Sequence, residues 1–381
     1  MSTLAAGPRP SGTLSAEEFR AHFPMLERVT HLAGCGLAPR STALDEALAE
    51  MLEAMASHGA PWHLFEERTA RARERFAALV GADPEQIAVV PNASVGAYQV
   101  ASTADWTARP RLVTTPLEFP SLAHIWLAQR PRGAEVVFAE DPEEYAAAVD
   151  TTTRLVSVPM TAYQDALRMP VAEIAEIAHA RGAEVFVDAY QAAGVEPVDV
   201  RRLDCDYLVA GTSKYLLGLP GLAFLYARRP EAADLDPALT GWFGRRDPFA
   251  FDPRLLDFSG TARRYETGTP PVPACYAAAA GLGLIARTDP ARVRAHVQEL
   301  TARAADALRA QGESVREIPA ARRGAHIGLL DPEPARLAEE LGRRGVAVSA
   351  RGDVVRVAFH YYNHPDDIAS LCKALREYRS R

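Results

Sequence analysis

Lysine is nearly absent from this chain of 381 residues: of 42 basic residues only Lys214 and Lys373 are lysine, leaving 40 arginines. Cysteine is also scarce. Cys35, Cys205, Cys275 and Cys372 stand far apart, with neither a Cys-x-x-Cys pair nor the spacing of a disulfide framework, which fits a reducing cytoplasm. No run is long and apolar enough for a membrane span. The nearest, 272–286, is alanine-rich and interrupted by Pro273 and Tyr276, and reads as a buried helix. No basic block accompanies the formal net charge of −7, and the dispersed arginines argue against nucleic acid or an anionic membrane as the main partner. Residues 1–14, rich in Ala, Gly and Pro, lack an apolar signal core and read as a loose arm. No internal repeat is evident.

What is present is a soluble globular composition, 48% hydrophobic and 24% charged, long enough for two domains. Short apolar runs at 87–90, 111–115, 134–139, 154–159, 184–187, 207–210 and 222–226 read as strands. Helical patterns separate most of them. Ser15-Ala16-Glu17-Glu18 has capping-box spacing, a long helix starts at Thr42, and another runs from Glu66 to Val80 after a connection holding Trp62 and His63. Asp141 opens a helix, as does Pro170, with Val171, Ile174 and Ala178 on one face. This alternation predicts an α/β fold with a mostly parallel, doubly wound sheet. From about Pro271 the pattern changes to long Ala- and Arg-rich helices, a strand at 326–330, a helix at 333–344 and two last strands ending at His360. The expected organisation is an arm at 1–14, a large domain at 15–270 and a small α+β domain at 271–381.

A chain that uses arginine for nearly every positive charge keeps a lysine where a guanidinium cannot serve. Forming a Schiff base is such a task, because an amine can lose its proton when desolvated. Lys373 sits in an ordinary helical pattern. Lys214 follows the 207–210 strand, and Asp188 ends the 184–187 strand with Gln191 three residues on; residues just past strand ends are where α/β sheets carry chemistry. Taken alone, Lys214 is equally a loop lysine of no chemical consequence. Together with Asp188 and Gln191 it makes a constellation suited to pyridoxal 5'-phosphate, which needs a lysine for its aldehyde, a carboxylate for its pyridine nitrogen and donors for its oxygens.

The runs Val187-Asp188-Ala189-Tyr190-Gln191-Ala192-Ala193-Gly194 and Asp206 through Lys214 to Pro220-Gly221 resemble the class V aminotransferase family of fold type I pyridoxal phosphate enzymes, which includes cysteine desulfurases and kynureninase. The resemblance implies further roles. Ala93 and Ser94, in the turn Pro91-Asn92-Ala93-Ser94-Val95-Gly96, match the family's phosphate turn, where a helix start favours an anion. Phe119 stands where desulfurases carry a ring-stacking, proton-carrying histidine and kynureninase-like members carry Phe-Pro. Tyr163 replaces a desulfurase asparagine, and Ser213 adjoins the lysine. Trp242, in Leu239-Thr240-Gly241-Trp242-Phe243-Gly244, and Thr269, in Arg264 to Pro270, correspond to segments that reach the phosphate of a neighbouring subunit, which implies a homodimer with shared sites. Val355-Arg356-Val357-Ala358-Phe359-His360-Tyr361-Tyr362-Asn363 matches the segment whose arginine forks onto the substrate α-carboxylate, so Arg356 is the expected clamp. Cys35, in the glycine-rich turn 31–39, either lines the substrate side or is a small buried residue.

The implied substrate is an amino acid deprotonated at Cα by Lys214. Desulfuration in the family's usual manner needs a cysteine on a loop before the C-terminal arginine, and none lies between Arg323 and Tyr362. Cleavage at the β-carbon, by a C–S β-lyase or a kynureninase-like hydrolase, is therefore ranked first. Cys35 for asparagine and Leu122 for aspartate depart from kynureninase itself. The alternatives are an aminotransferase, an epimerase, a decarboxylating deaminase, or a silent cofactor-binding scaffold.

Overall fold

The computed structural model describes residues 12–380. Most of the expected arm lies outside the described residues; of its end, the Leu14 N–H donates to the Arg287 carbonyl at 2.7 Å. In chain order the strands are β1 (Thr30–His31), β2 (Ile87–Val90), β3 (Arg111–Thr114), β4 (Glu135–Phe138), β5 (Thr153–Pro159), β6 (Glu184–Asp188), β7 (Tyr207–Gly211), β8 (Ala223–Ala227), β9 (His326–Leu330), β10 (Val346–Ala347), β11 (Ser349–Arg351) and β12 (Val354–Ala358).

Seven of them form the main sheet in the order β2-β8-β7-β6-β5-β3-β4. The run β4, β3, β5, β6, β7 is parallel throughout, while β8 is antiparallel to both β7 and β2. The exception has a local cause. A parallel return needs a crossover of a dozen or more residues, usually helical, and the loop 212–222 between β7 and β8 contains no helix.

Every residue of β5, β7 and β8 is buried, as expected of strands covered on both faces. Alternation divides the core into two layers. Val185 and Val187 of β6 join one, with Phe76, Ile174 and Leu282; Phe186 joins the other, with Val100, Leu122 and Trp126. Helices Trp62–Val80, Val171–His179 and Val272–Ile285 thus cover one face, and Ala93–Thr103 and Pro120–Leu127 the other. Phe76 stacks on Phe224 of β8 with centroids 4.5 Å apart.

One boundary needs correction: the expected connection holding Trp62 and His63 is the first turn of the helix Trp62–Val80. Pro61 takes the N-cap position, and Trp62 meets Phe65 edge-on at 5.8 Å while Phe65 meets Tyr276 at 6.2 Å, so aromatic packing recruits the extra turn.

Beyond the helix Pro290–Ala310, β9, β11 and β12 form an antiparallel sheet in the order β11-β12-β9. The helix expected at 333–344 spans Pro334–Arg343, and the last strand stops at Ala358 instead of reaching His360. β1 and β10 form a separate parallel pair, which ties residues near the N-terminus to this C-terminal layer.

Candidate active site

The carboxyl ends of β6 and β7 place Asp188 and Lys214 in one cavity of about 250 Å³. Ala93, Ser94, Phe119, Tyr163 and Gln191 line the same cavity, so seven of the residues singled out from sequence come together here.

The lysine loop is held in place by its own backbone partners and by close packing. The Thr212 hydroxyl lies 2.7 Å from the Leu219 carbonyl, and the Tyr215 carbonyl lies 3.0 Å from Nε2 of buried His360. Leu217 takes φ +61°, a left-handed conformation that a branched side chain adopts only under tertiary constraint. Gly211 is obligatory for the site's shape, since a Cβ there would stand 2.0 Å from Cζ of Tyr190. That ring is instead seated against the end of β7, with its centroid 4.2 Å from Nζ of Lys214; the Phe119 centroid lies 5.5 Å from the same amine. Burial lowers the Lys214 pKa to about 8, against the opposing pull of Asp188. The amine is thus far more available as a base or nucleophile than an exposed lysine.

Burial pushes the Asp188 carboxyl up to about 6, with the Tyr190 N–H at 2.8 Å and the Lys214 charge pulling it back. Glu118 is a second buried carboxyl. Its Oε1 accepts from the Ser157 hydroxyl at 2.8 Å, Ser157 in turn accepts from Trp126 Nε1 at 3.0 Å, and Oε2 has no partner. Burial and the charge of Asp188 raise its pKa well above the carboxylate range. Of the two buried acids, Glu118 is the one driven further toward its neutral form, as unlike environments dictate for neighbouring acids.

The helix Ala93–Thr103 starts at the same cavity. Asn92 caps it by accepting from the Val95 N–H at 3.0 Å, and the first N–H groups, those of Ala93 and Ser94, have no intrahelical acceptor. Free N–H groups at the positive end of a helix dipole are suited to an anion.

Arg356 is fully buried on β12. Its Nη1 donates to the Tyr163 carbonyl and Nη2 to the Ser349 hydroxyl, each at 2.8 Å, while Nε lacks a partner. Cys35 is also fully buried, and its carbonyl accepts from Gln191 Nε2 at 3.2 Å. Burial raises its thiol pKa despite the nearby Arg356 and Lys214 charges, which keeps the sulfur protonated and weakly reactive. Neither residue lines the cavity, and Ser213 contributes through its hydroxyl, 3.2 Å from that of Tyr190. Trp242 and Thr269 are not brought to this cavity. Trp242 packs among Phe243, Phe249 and Phe251, and Thr269 is exposed. Trp62 and His63 also lie elsewhere, His63 against His58.

Sequence reasoning assigned no role to Tyr190, Glu118, Asn92 or Thr161, of which all but Glu118 line the cavity. Tyr190 lay within the run quoted for Asp188, and Glu118 directly precedes Phe119; a charged residue between a strand end and an apolar helix was the available signal.

The family model for Aminotransferase class-V matches residues 44–371. A protein of Bacillus subtilis (strain 168) named uncharacterized aminotransferase YcbU is 34% identical over 359 residues, covering 92% of this chain and 95% of its own. Kynureninase of Pseudomonas fluorescens is 30% identical over 354 residues, 87% of this chain and 84% of its own. Among solved structures, a mutant of the cystine C–S lyase C-DES, with glycine covalently linked to its pyridoxal phosphate cofactor, matches with a TM-score of 0.86 at 21% identity, covering 93% of this chain and 98% of that one; this likeness concerns the fold. With the family model spanning most of the chain and the strand-end lysine and aspartate in one cavity, the protein belongs to the class V aminotransferase family.

Proposed function

We propose that this pyridoxal 5'-phosphate enzyme deprotonates an amino acid at Cα and cleaves a bond at its β-carbon, as a C–S β-lyase or a kynureninase-like hydrolase. The residues present fit the cofactor. The cavity holds a desolvated amine, a desolvated carboxylate and a helix N-terminus for a phosphate. Lys214 would anchor it, Asp188 would face its ring nitrogen, and Ala93 and Ser94 would take its phosphate. When bound, it supplies an electron sink for a bond broken at Cα.

The chain's own residues do the rest. Arg356, which lies behind the Tyr163 wall of the cavity and would have to turn from the Tyr163 carbonyl and the Ser349 hydroxyl, is proposed to bind the substrate carboxylate and fix the orientation of Cα, and Lys214, with its pKa lowered to about 8, to accept and return the α-proton near neutrality. Phe119 and Tyr190 flank the amine with rings and limit water around it. A second copy of the chain is proposed to bring Trp242 and Thr269 to the phosphate, which makes the protein a homodimer; sedimentation as a cofactor-loaded monomer would contradict this.

The observation that carries the reaction type is Phe119 beside the Lys214 amine. A phenyl ring can stack but cannot move a proton, and the segment before Arg356 has no thiol to receive sulfur. A persulfide relay therefore lacks both its acid and its acceptor. The test is a screen of amino acids and cysteine S-conjugates with detection of pyruvate, ammonia, thiol and carbon dioxide. Stoichiometric keto acid, ammonia and thiol are expected from S-conjugates. Persulfide on Cys35 during turnover, or amino transfer to a keto acid as the only reaction, would overturn the reading.

A further inference from the structure

The three-stranded sheet turns one face toward the cavity wall. Ser349 of β11 lies opposite Arg356 of β12, and Ala358 opposite His326 of β9; directly opposed residues share a face. Arg351, two positions along β11 from Ser349, shares that face too. The face meets the Tyr163 segment, where Arg356 holds the Tyr163 carbonyl, and a Cβ on Gly352 at the β11–β12 turn would stand 2.8 Å from Nε2 of Gln164. Arg351 therefore lies on the sheet face that backs the Tyr163 segment of the cavity wall, one residue from the Gln164 contact.

Arg351 is exposed, and its Nη1 donates at 2.7 Å to the carbonyl of its own neighbour Ala350. Among the described residues no carboxylate pairs with it. The acids closest along the chain and across the segment are engaged elsewhere: Asp353 and Asp165 both pair with Arg316. The charge of Arg351 reaches the site, for it is one of the cations acting on both Lys214 and Cys35. Lys214 lines the cavity, and Arg356 and Arg351 share one sheet face behind the Tyr163 segment of its wall, whereas Asp188 is read as the partner of the cofactor ring and burial favours the neutral form of Glu118. An α-carboxylate on Arg356 leaves Arg351 unmatched.

We propose that Arg351 recognises a second anionic group, so that the substrate is an α-amino acid whose side chain carries a carboxylate or similar oxyanion. This rests on the reading of Arg356 as the α-carboxylate clamp. Arginine suits the task because its planar fork meets an oxyanion with two parallel hydrogen bonds.

The test uses the cofactor-loaded enzyme, with the visible cofactor band titrated by L-aspartate and L-glutamate against L-asparagine and L-glutamine. One charge-assisted contact should make each acid bind roughly 10-fold or more tightly than its amide. Arg351→Gln should bring that ratio close to one and leave amide binding unchanged, and Arg351→Lys should retain part of it. Amides that bind wild type as tightly as the acids, or an Arg351→Gln enzyme that loses acid and amide binding alike, would overturn the assignment. A wild-type band that responds to the amides but not the acids would overturn it while sparing the amino-acid site. A band indifferent to every amino acid would refute the amino-acid site itself, and this assignment with it.

Discussion

Replacing Lys214 by methionine should stabilise the cofactor-free protein. The amine lies among the rings of Tyr190 and Phe119, and burial lowers its pKa from 10.5 to about 8. At 1.36 kcal/mol per pH unit, holding the proton in that environment costs about 3 kcal/mol of folding stability. The sign follows from the order of the two values. Below about pH 8 folded and unfolded chains both carry the proton, so the whole penalty is present; it fades between about 8 and 10.5, where only the unfolded chain retains the proton, and vanishes above. Part of the gain is lost in the variant, because Asp188, already raised to about 6, loses the Lys214 charge that holds it down. Methionine fills the space with a flexible apolar chain of similar length, so the net gain at pH 7 should be on the order of 1–2 kcal/mol. Urea unfolding of both apoproteins at one protein concentration, at pH 7 and pH 9.5, measures it. A less stable variant at pH 7, or a gap that does not narrow at pH 9.5, would refute the reasoning.

Three further outcomes follow from the same geometry. Arg356→Lys keeps the charge but loses the fork held between Tyr163 and Ser349, and should weaken substrate binding or kcat/KM by roughly 1–3 kcal/mol; an effect within error would remove Arg356 from the carboxylate role. Capture of added pyridoxal phosphate by the apoprotein should accelerate with pH along a curve centred near 8, the value of Lys214, whereas a midpoint above 10 would mean that the amine is not desolvated. Since burial and the Asp188 charge favour the neutral form of Glu118, Glu118→Gln should change stability by no more than about 1 kcal/mol, the scale of a neutral hydrogen bond, and a loss above about 3 kcal/mol would show that its charge matters.

The main sheet was legible because the cores of β6, β7 and β8 are buried and appear in the sequence as apolar runs between turn residues, with β5 carrying only Ser157 within its apolar stretch Leu155 to Val158. The reversed direction of β8 was not, since strand direction depends on what the 212–222 loop can span. Lys214 stood out by scarcity and Asp188 by its place at a strand end. Arg351 could not stand out among 40 arginines, because its significance lies in the face it shares with Arg356 and in the acids it lacks. Glu118 and Tyr190 were hidden for a similar reason: burial beside Asp188 and a ring seated on Gly211 are tertiary facts. Trp242 and Thr269 were read through family resemblance, and their expected role requires a second chain.

The most direct measurement is borohydride reduction of the cofactor-loaded enzyme, followed by peptide mapping by mass spectrometry. A desolvated amine at the carboxyl end of β7, sharing one cavity with Asp188, predicts that the reduced cofactor is attached to the peptide containing Lys214. Label on Lys373, whose amine is exposed near Glu377, or no labelled lysine at all, would contradict the site.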